Sequence, residues 1–240
     1  KPKCLVEFEG IPLLEYIIHN AERCGIKSVV IVTGHAEARI KEYISQQKCE
    51  LPITTLHNHR YAETNMVYSL IQALKLNRRR AVISYGDIIY NWEVLDALLN
   101  AKNSFTIASD LEWLDLWEKR MTNPLIDAEQ FKAQGDIISS IGDKPTSTDE
   151  IEGQYIGLFV LEQDISKQLI DLYASLGHRH SLKYVHNLSM TEFIMHYIHN
   201  GGEVHKVDIS GGWLEFDTPN DLDVYKTFRH QLTHEFLSRG

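Results

Sequence analysis

The stretch Ala81-Val82-Ile83-Ser84-Tyr85-Gly86-Asp87-Ile88-Ile89-Tyr90 decides the fold. Its opening apolar run has the pattern of a central strand covered on both faces. The run breaks at Gly86 and delivers Asp87 to the carboxyl end of that strand, which is where open α/β sheets bind ligands. A carboxylate at the mouth of a buried strand is costly to desolvate unless it is paired or holds a cation.

On the amino-terminal side, Leu13, Leu14, Ile17, Ile18 and Ala21 recur at helical spacing, and Gly25 follows as a stop. Strands are expected over 28–33 and 53–58, with helices over 36–46 and 66–76 between and after them. This alternation at tight spacing is that of a doubly wound α/β sheet, mixed but mostly parallel and flanked by helices. On the carboxyl side a helix is expected over 92–100 and strands over 105–109, 155–161 and 203–209. The intervening stretch 113–152 is charged, aromatic and weak in periodicity, with a short hairpin near 137–141. Ser189 and Glu192 have capping-box spacing at the head of another helix, and Pro219 starts a terminal helix carrying Leu222, Val224, Tyr225 and Phe228.

A second acidic site lies near the other end of the chain, in Gly212-Trp213-Leu214-Glu215-Phe216-Asp217-Thr218-Pro219. Glu215 and Asp217 are two apart and face one side of an extended chain. Two acidic strand ends invite one shared divalent metal, an arrangement suited to phosphoryl or nucleotidyl transfer. The plainer alternatives are an aspartate capping a turn at 87 and solvated surface acids before Pro219.

Bulk composition narrows the field. The 240 residues suffice for one large domain, and 43% apolar with 24% charged content is ordinary for a globular protein. A net charge of −9 argues against a general nucleic-acid binder, so any phosphate must be gripped locally. Cys4, Cys24 and Cys49 are odd in number and lack metal-type spacing, which fits unpaired thiols in a reducing compartment. No apolar run is long enough to span a bilayer, and the expectation is a soluble cytoplasmic protein without a membrane partner. The twelve histidines are scattered, and His178-Arg179-His180 reads as a loop rather than a metal site.

Six segments in this order carry a resemblance: Lys1-Pro2-Lys3, Glu63-Thr64-Asn65-Met66, Gly86-Asp87, Asp143-Lys144-Pro145, Glu152-Gly153-Gln154-Tyr155 and Trp213-Leu214-Glu215-Phe216-Asp217. Together they resemble the nucleotidyltransferase superfamily, most closely cytidylyltransferases of the phosphocholine type and relatives acting on aminoethylphosphonate or other phospho-compounds. The resemblance runs from residue 1 to about 228. It implies CTP and a phosphorylated small-molecule acceptor as substrates, with Mg²⁺ as cofactor held by Asp87 and Asp217. Glu215 would be a further ligand or an amine-binding anion. Lys3 would reach the triphosphate and Lys144 the acceptor phosphate, while Asn65, Tyr85 and Gly86 would lie along the nucleotide. The region 111–154 would form an inserted acceptor-binding lid, with Lys119 and Arg120 on phosphate and Glu152, Gln154, Tyr155 and Trp213 on the acceptor. Trp113, Trp117, Tyr155 and Trp213 are either an aromatic wall for an amine head group or simply core.

Bland readings stand beside several of these. Lys119 and Arg120 can pair with Asp115 or Glu118 on a helix surface, and Thr64 or Asn65 can serve only as a helix cap. The family's glycine-rich loop after a first strand would precede Lys1, so the chain is expected to be a fragment of a longer polypeptide. Competing functions are a sugar-1-phosphate nucleotidyltransferase, a nucleotide-binding regulatory module without catalysis, and a glycosyltransferase. The last wants an Asp-x-Asp that Asp87-Ile88-Ile89 does not supply. A homodimer is compatible with the terminal helix and the aromatics of the lid.

Overall fold

The computed structural model describes residues 1–47, 49–76 and 79–236, with side chains from 228 onward excepted. The side chain of Phe228, expected on the apolar face of the last helix, therefore lies outside the described ones. Strands β1 (Glu7–Phe8) and β2 (Ile11–Pro12) form a small hairpin before helix α1 (Leu13–Arg23), β3 (Val29–Thr33), α2 (Glu37–Gln46) and β4 (Ile53–His57). Then come α3 (Met66–Leu76), β5 (Ala81–Ser84), β6 (Ile88–Tyr90), α4 (Trp92–Leu99), β7 (Phe105–Asp110) and α5 (Trp113–Arg120). The chain continues through β8 (Phe131–Gln134), β9 (Ile137–Ile141), β10 (Gln154–Leu161), α6 (Gln163–Arg179), α7 (Leu182–His186) and α8 (Met190–His199). It ends in β11 (His205–Ile209), β12 (Trp213–Glu215) and α9 (Pro219–Phe236).

The main sheet has the order β5-β10-β7-β11-β9-β8. It is mixed: β7 and β11 pair in parallel, while β10 runs antiparallel to both β5 and β7, and β9 antiparallel to β11 and β8. Four of the six strands thus share one direction, as the α/β reading expects. β3 and β4 form a separate parallel pair. Among the described residues, β3 pairs only with β4 and β5 only with β10, so each keeps one edge without a strand partner.

One core joins the sheet to its helices. Val67, Leu70, Ile71 and Leu74 of α3, Leu95 and Leu98 of α4, Leu169 and Leu176 of α6, and Phe193 and Ile194 of α8 are buried against Phe105, Ile107 and Phe159. Burial of each such side chain contributes about 1.5–3 kcal/mol, which outweighs the weak intrinsic preference of short helices. The capping box at α8 is present in both halves. Glu192 N–H donates to Ser189 Oγ at 3.2 Å and Ser189 N–H to Glu192 Oε2 at 2.9 Å.

Three expectations need correction. β5, expected to be a central strand covered on both faces, lies at the edge of the main sheet with half-buried residues, pairing among the described residues with β10 alone. The stretch after β7 is more regular than its periodicity suggested: it opens with α5, whose Trp113 and Trp117 are buried in the main core, and its hairpin β8–β9 joins the main sheet through β11. His178 and Arg179, read as loop, form the last turn of α6.

The middle of β10 is shaped by Gly157. It adopts φ +81°, and a Cβ there would fall 2.6 Å from the Tyr85 ring, so only glycine lets Tyr85 lie across the strand. The β10–β7 register shifts over the same stretch, between Tyr155 and Phe159. Replacing Gly157 with alanine adds left-handed backbone strain to a clash with Tyr85, with an expected loss on the order of 2–4 kcal/mol. Urea unfolding measures this directly, and a loss below about 1 kcal/mol would contradict the packing.

Candidate active site

The β6–β12 ladder builds the site. Trp213 pairs with Tyr90, Leu214 with Ile89 and Glu215 with Ile88. The pairing continues one step further, the Phe216 N–H donating to the Asp87 carbonyl at 2.8 Å. Asp87 and Asp217, far apart in sequence, therefore sit side by side.

Lys3 bridges them. Its Nζ lies 2.6 Å from Asp217 Oδ1 and 3.2 Å from Asp87 Oδ2. Partial burial pulls the ammonium pKa down, but the hydrogen bond to Asp217 and the charge of Asp87 outweigh it, and the net shift is upward. Lys3 and Asp217 remain half exposed, so the bridge is a weak one that an incoming ion can displace. Mg²⁺ takes one or two protein carboxylates and completes its shell with water and substrate phosphates. Two carboxylates gathered on one cation fit that need. Among the described residues no group of three or more His, Cys, Asp or Glu is placed to hold a metal, so an all-protein cage is not built here.

Beside the acids lies a pocket of about 200 Å³. Tyr85, Gln154, Tyr155 and Glu215, all expected at the site, line it together with Trp117, Asp127 and Glu129. Burial pushes the Glu129 carboxyl up to about 7, against the hydrogen bond it accepts from Thr191 Oγ1 at 3.1 Å and the nearby charge of Lys144. Burial likewise pushes Glu215 up to about 7, despite the Arg120 guanidinium beside it.

Arg120 is the knot behind this pocket. Its side chain is 2% exposed, its Nη1 is 2.6 Å from Glu215 Oε2, its Nε is 3.0 Å from Asp221 Oδ1, and it stacks over the Trp117 ring at 5.0 Å. The partners come from the far end of the chain, not from the helix neighbours Asp115 and Glu118. Asp221 in turn accepts from Thr218 N–H at 2.7 Å and Thr218 Oγ1 at 3.1 Å, so Arg120 fixes the turn that carries Asp217.

The other sequence candidates are spread more widely. Gly86 runs past Cys4, next to Lys3; a Cβ there would stand 3.6 Å from Cys4 Cβ. Lys144 donates to the Ile126 carbonyl, one residue from Asp127 at the pocket. Asn65 Oδ1 accepts from Met66 N–H at 2.8 Å at the head of α3, and Asn65 N–H donates to the His186 carbonyl at 2.7 Å. Glu152 is exposed and accepts from Ala133 N–H at 2.9 Å in β8. Lys119 lines a separate cavity of about 360 Å³ with Asn220 and Asp223 of α9. Trp213 is buried and donates from Nε1 to Asp110 at 2.8 Å, while Trp113 packs behind Trp117. Sequence reading missed Asp127, Glu129 and Asp221. Only Asp221 left a local signal, since Thr218 three residues before it has capping spacing.

Residues 1–137 match the model of the MobA-like NTP transferase domain. The chain belongs to that family. It is 34% identical over 232 residues to the CTP:phosphoglutamine cytidylyltransferase of Campylobacter jejuni, covering 93% of this chain and 90% of that protein. The choline-phosphate cytidylyltransferase of Streptococcus pneumoniae is 25% identical over 181 residues, 72% of each chain. Among solved structures, the inositol-1-phosphate CTP transferase from T. maritima superimposes with a TM-score of 0.77 over all of this chain and 89% of its own, at 17% identity. The family makes this chain a nucleotidyltransferase, and no helix among its described residues is long and apolar enough to cross a membrane.

Two outcomes test the electrostatics. Arg120→Met leaves Asp221 and Glu215 without their buried cation and is expected to cost about 3–5 kcal/mol in urea unfolding; a loss under about 1 kcal/mol would refute the knot. Glu129, with a folded pKa raised from 4.5 to about 7, stabilises the fold most below about pH 4.5 and loses that contribution as pH rises through about 7. The Tm of wild type relative to Glu129→Gln is therefore expected to fall between about pH 5 and pH 8, and a constant difference would contradict the shift.

Proposed function

We propose that this protein transfers a cytidylyl group from CTP to the phosphate of a small phosphorylated molecule, releasing pyrophosphate. The observation that carries the reading is the convergence of Asp87 and Asp217 on one cation, just beyond the end of β5 and beside a pocket of small-molecule size. Likeness to cytidylyltransferases acting on phosphoglutamine and choline phosphate supports CTP as the donor and a phospho-compound as the acceptor.

An anionic oxygen of the acceptor phosphate attacks the α-phosphorus of CTP. The new P–O bond forms as the bond to the β-phosphate oxygen breaks, and pyrophosphate leaves with that electron pair. No general base is needed, because the attacking oxygen is already deprotonated near pH 7. Catalysis then rests on alignment and charge neutralisation. Asp87 and Asp217 would hold Mg²⁺, which would supply positive charge to offset the negative charge of the triphosphate. Lys3 moves from the two acids to the phosphates and offsets the charge gathering on the leaving group. Lys144, next to the pocket, meets the acceptor phosphate, and the ring of Tyr85 borders the space between the two substrates. Arg120 acts through Glu215 and Asp221, holding the Asp217 turn in place without touching substrate.

Pyrophosphate release from CTP, Mg²⁺ and a panel of phosphorylated amines, amides and alcohols tests the proposal. Asp87→Asn and Asp217→Asn are each expected to cut turnover by about 100-fold or more while leaving Tm nearly unchanged. A rate within a few-fold of wild type in either variant would reject the metal-holding role.

A further inference from the structure

The pocket beside the acids carries more negative charge than phosphate transfer requires. Asp127, Glu129 and Glu215 all line it, and no Lys or Arg is among its lining residues. Arg120 neutralises Glu215. Lys144 is close enough to influence Glu129, but on the reading above it is drawn away to the acceptor phosphate. Asp127 and Glu129 are then left facing the ligand without a cation among the residues that line the pocket.

Three orphaned polar atoms in the same wall sharpen the picture; the Tyr155 hydroxyl can donate or accept and so does not discriminate between ligands, but the other two do. Gln154 is 6% exposed and its Oε1 has no hydrogen-bond partner; Trp117 is 3% exposed and its Nε1 has none either. A buried polar atom left unpaired costs about 1–3 kcal/mol, and both residues line the pocket. Gln154 Oε1 can only accept, so it calls for an N–H or O–H donor. The indole N–H can only donate, so it calls for an oxygen. A sugar hydroxyl could donate to Gln154 and to the carboxylates but would leave their two negative charges uncompensated. A quaternary ammonium would satisfy the carboxylates but offers no N–H to Gln154. A primary ammonium satisfies both, and an oxygen elsewhere on the same molecule would take the Trp117 N–H.

We infer that this pocket selects the phosphorylated acceptor through a primary ammonium group, bound by Asp127, Glu129 and the side-chain oxygen of Gln154. The inference rests on the cytidylyl-transfer reading for the phosphate end of the acceptor and adds the chemistry of its other end. The raised pKa of Glu129 is consistent with it, since an empty acidic pocket resists ionisation and a cationic ligand relieves that cost.

The test uses three phosphate monoesters that differ only in head group: phosphoethanolamine, choline phosphate, and a neutral analogue ending in a hydroxyl. Titration calorimetry, with and without CTP, reads the pocket independently of chemistry, and pyrophosphate release reads turnover. The expected result is at least about tenfold tighter binding and higher kcat/KM for phosphoethanolamine. In Asp127→Asn and Glu129→Gln that preference should collapse through KM for the acceptor, with KM for CTP unchanged. Asp127 is exposed, so its variant remains informative should Glu129→Gln fold poorly. Equal binding of all three head groups, or an unaltered preference in both variants, overturns the inference, even when pyrophosphate is released. Amine-selective binding without pyrophosphate release from any acceptor upholds the pocket and overturns the transfer reading instead.

Discussion

The arrangement depends on a short ladder between β6 and β12. Because side chains alternate along a strand, a slip of one residue would turn every group on it to the opposite face. The apolar side fixes the register. Ile89 and Leu214 are fully buried, and Phe216 packs against Phe8 at 5.4 Å and Tyr225 at 5.2 Å between ring centres. With those residues locked inward, Glu215 and Asp217 are left on the other side, and Asp87, in the turn before β6, meets Asp217 through Lys3. The packing of an aromatic cluster thus sets the geometry of a charged one.

Charge then ties the remaining pieces to that ladder. Arg120 lies at the end of α5, Glu215 at the end of β12 and Asp221 in the first turn of α9, and the guanidinium reaches both acids. Burying such a group is costly unless every partner is in place. Here the planar fork meets two carboxylates and a tryptophan face. The Tyr225 hydroxyl adds a bond to the Glu215 carbonyl at 2.7 Å, so α9 grips β12 twice.

Much of this was legible in the sequence, and the limits have physical causes. Strand ends at Gly34, Gly86 and Asp110 announced themselves because apolar runs stop there. The helix caps are local chemistry, and the Ser189–Glu192 pair formed as its spacing promised. Asp87 and Asp217 stood out because acids at strand mouths are expensive. The role of Arg120 was hidden because its partners are 95 and 101 residues away, and the nearer acids on its own helix offered a more obvious match. Helix α5 was obscured for a related reason: its tryptophans face the core, yet it is only 8 residues long and charges fill its last turn. Asp127 and Glu129 lie outside regular secondary structure, where no periodicity marks which way a side chain turns.

The acids of the pocket are tethered unequally. Glu215 is bound to Arg120 and through it to the Asp217 turn, so altering it disturbs the catalytic end as well. Asp127 and Glu129 sit on a connecting segment that holds to Thr191 and Lys144 rather than to the Asp217 turn. Natural drift or laboratory redesign can therefore recast which cargo the protein accepts by changing that one segment, while the machinery that joins cargo to nucleotide is inherited intact.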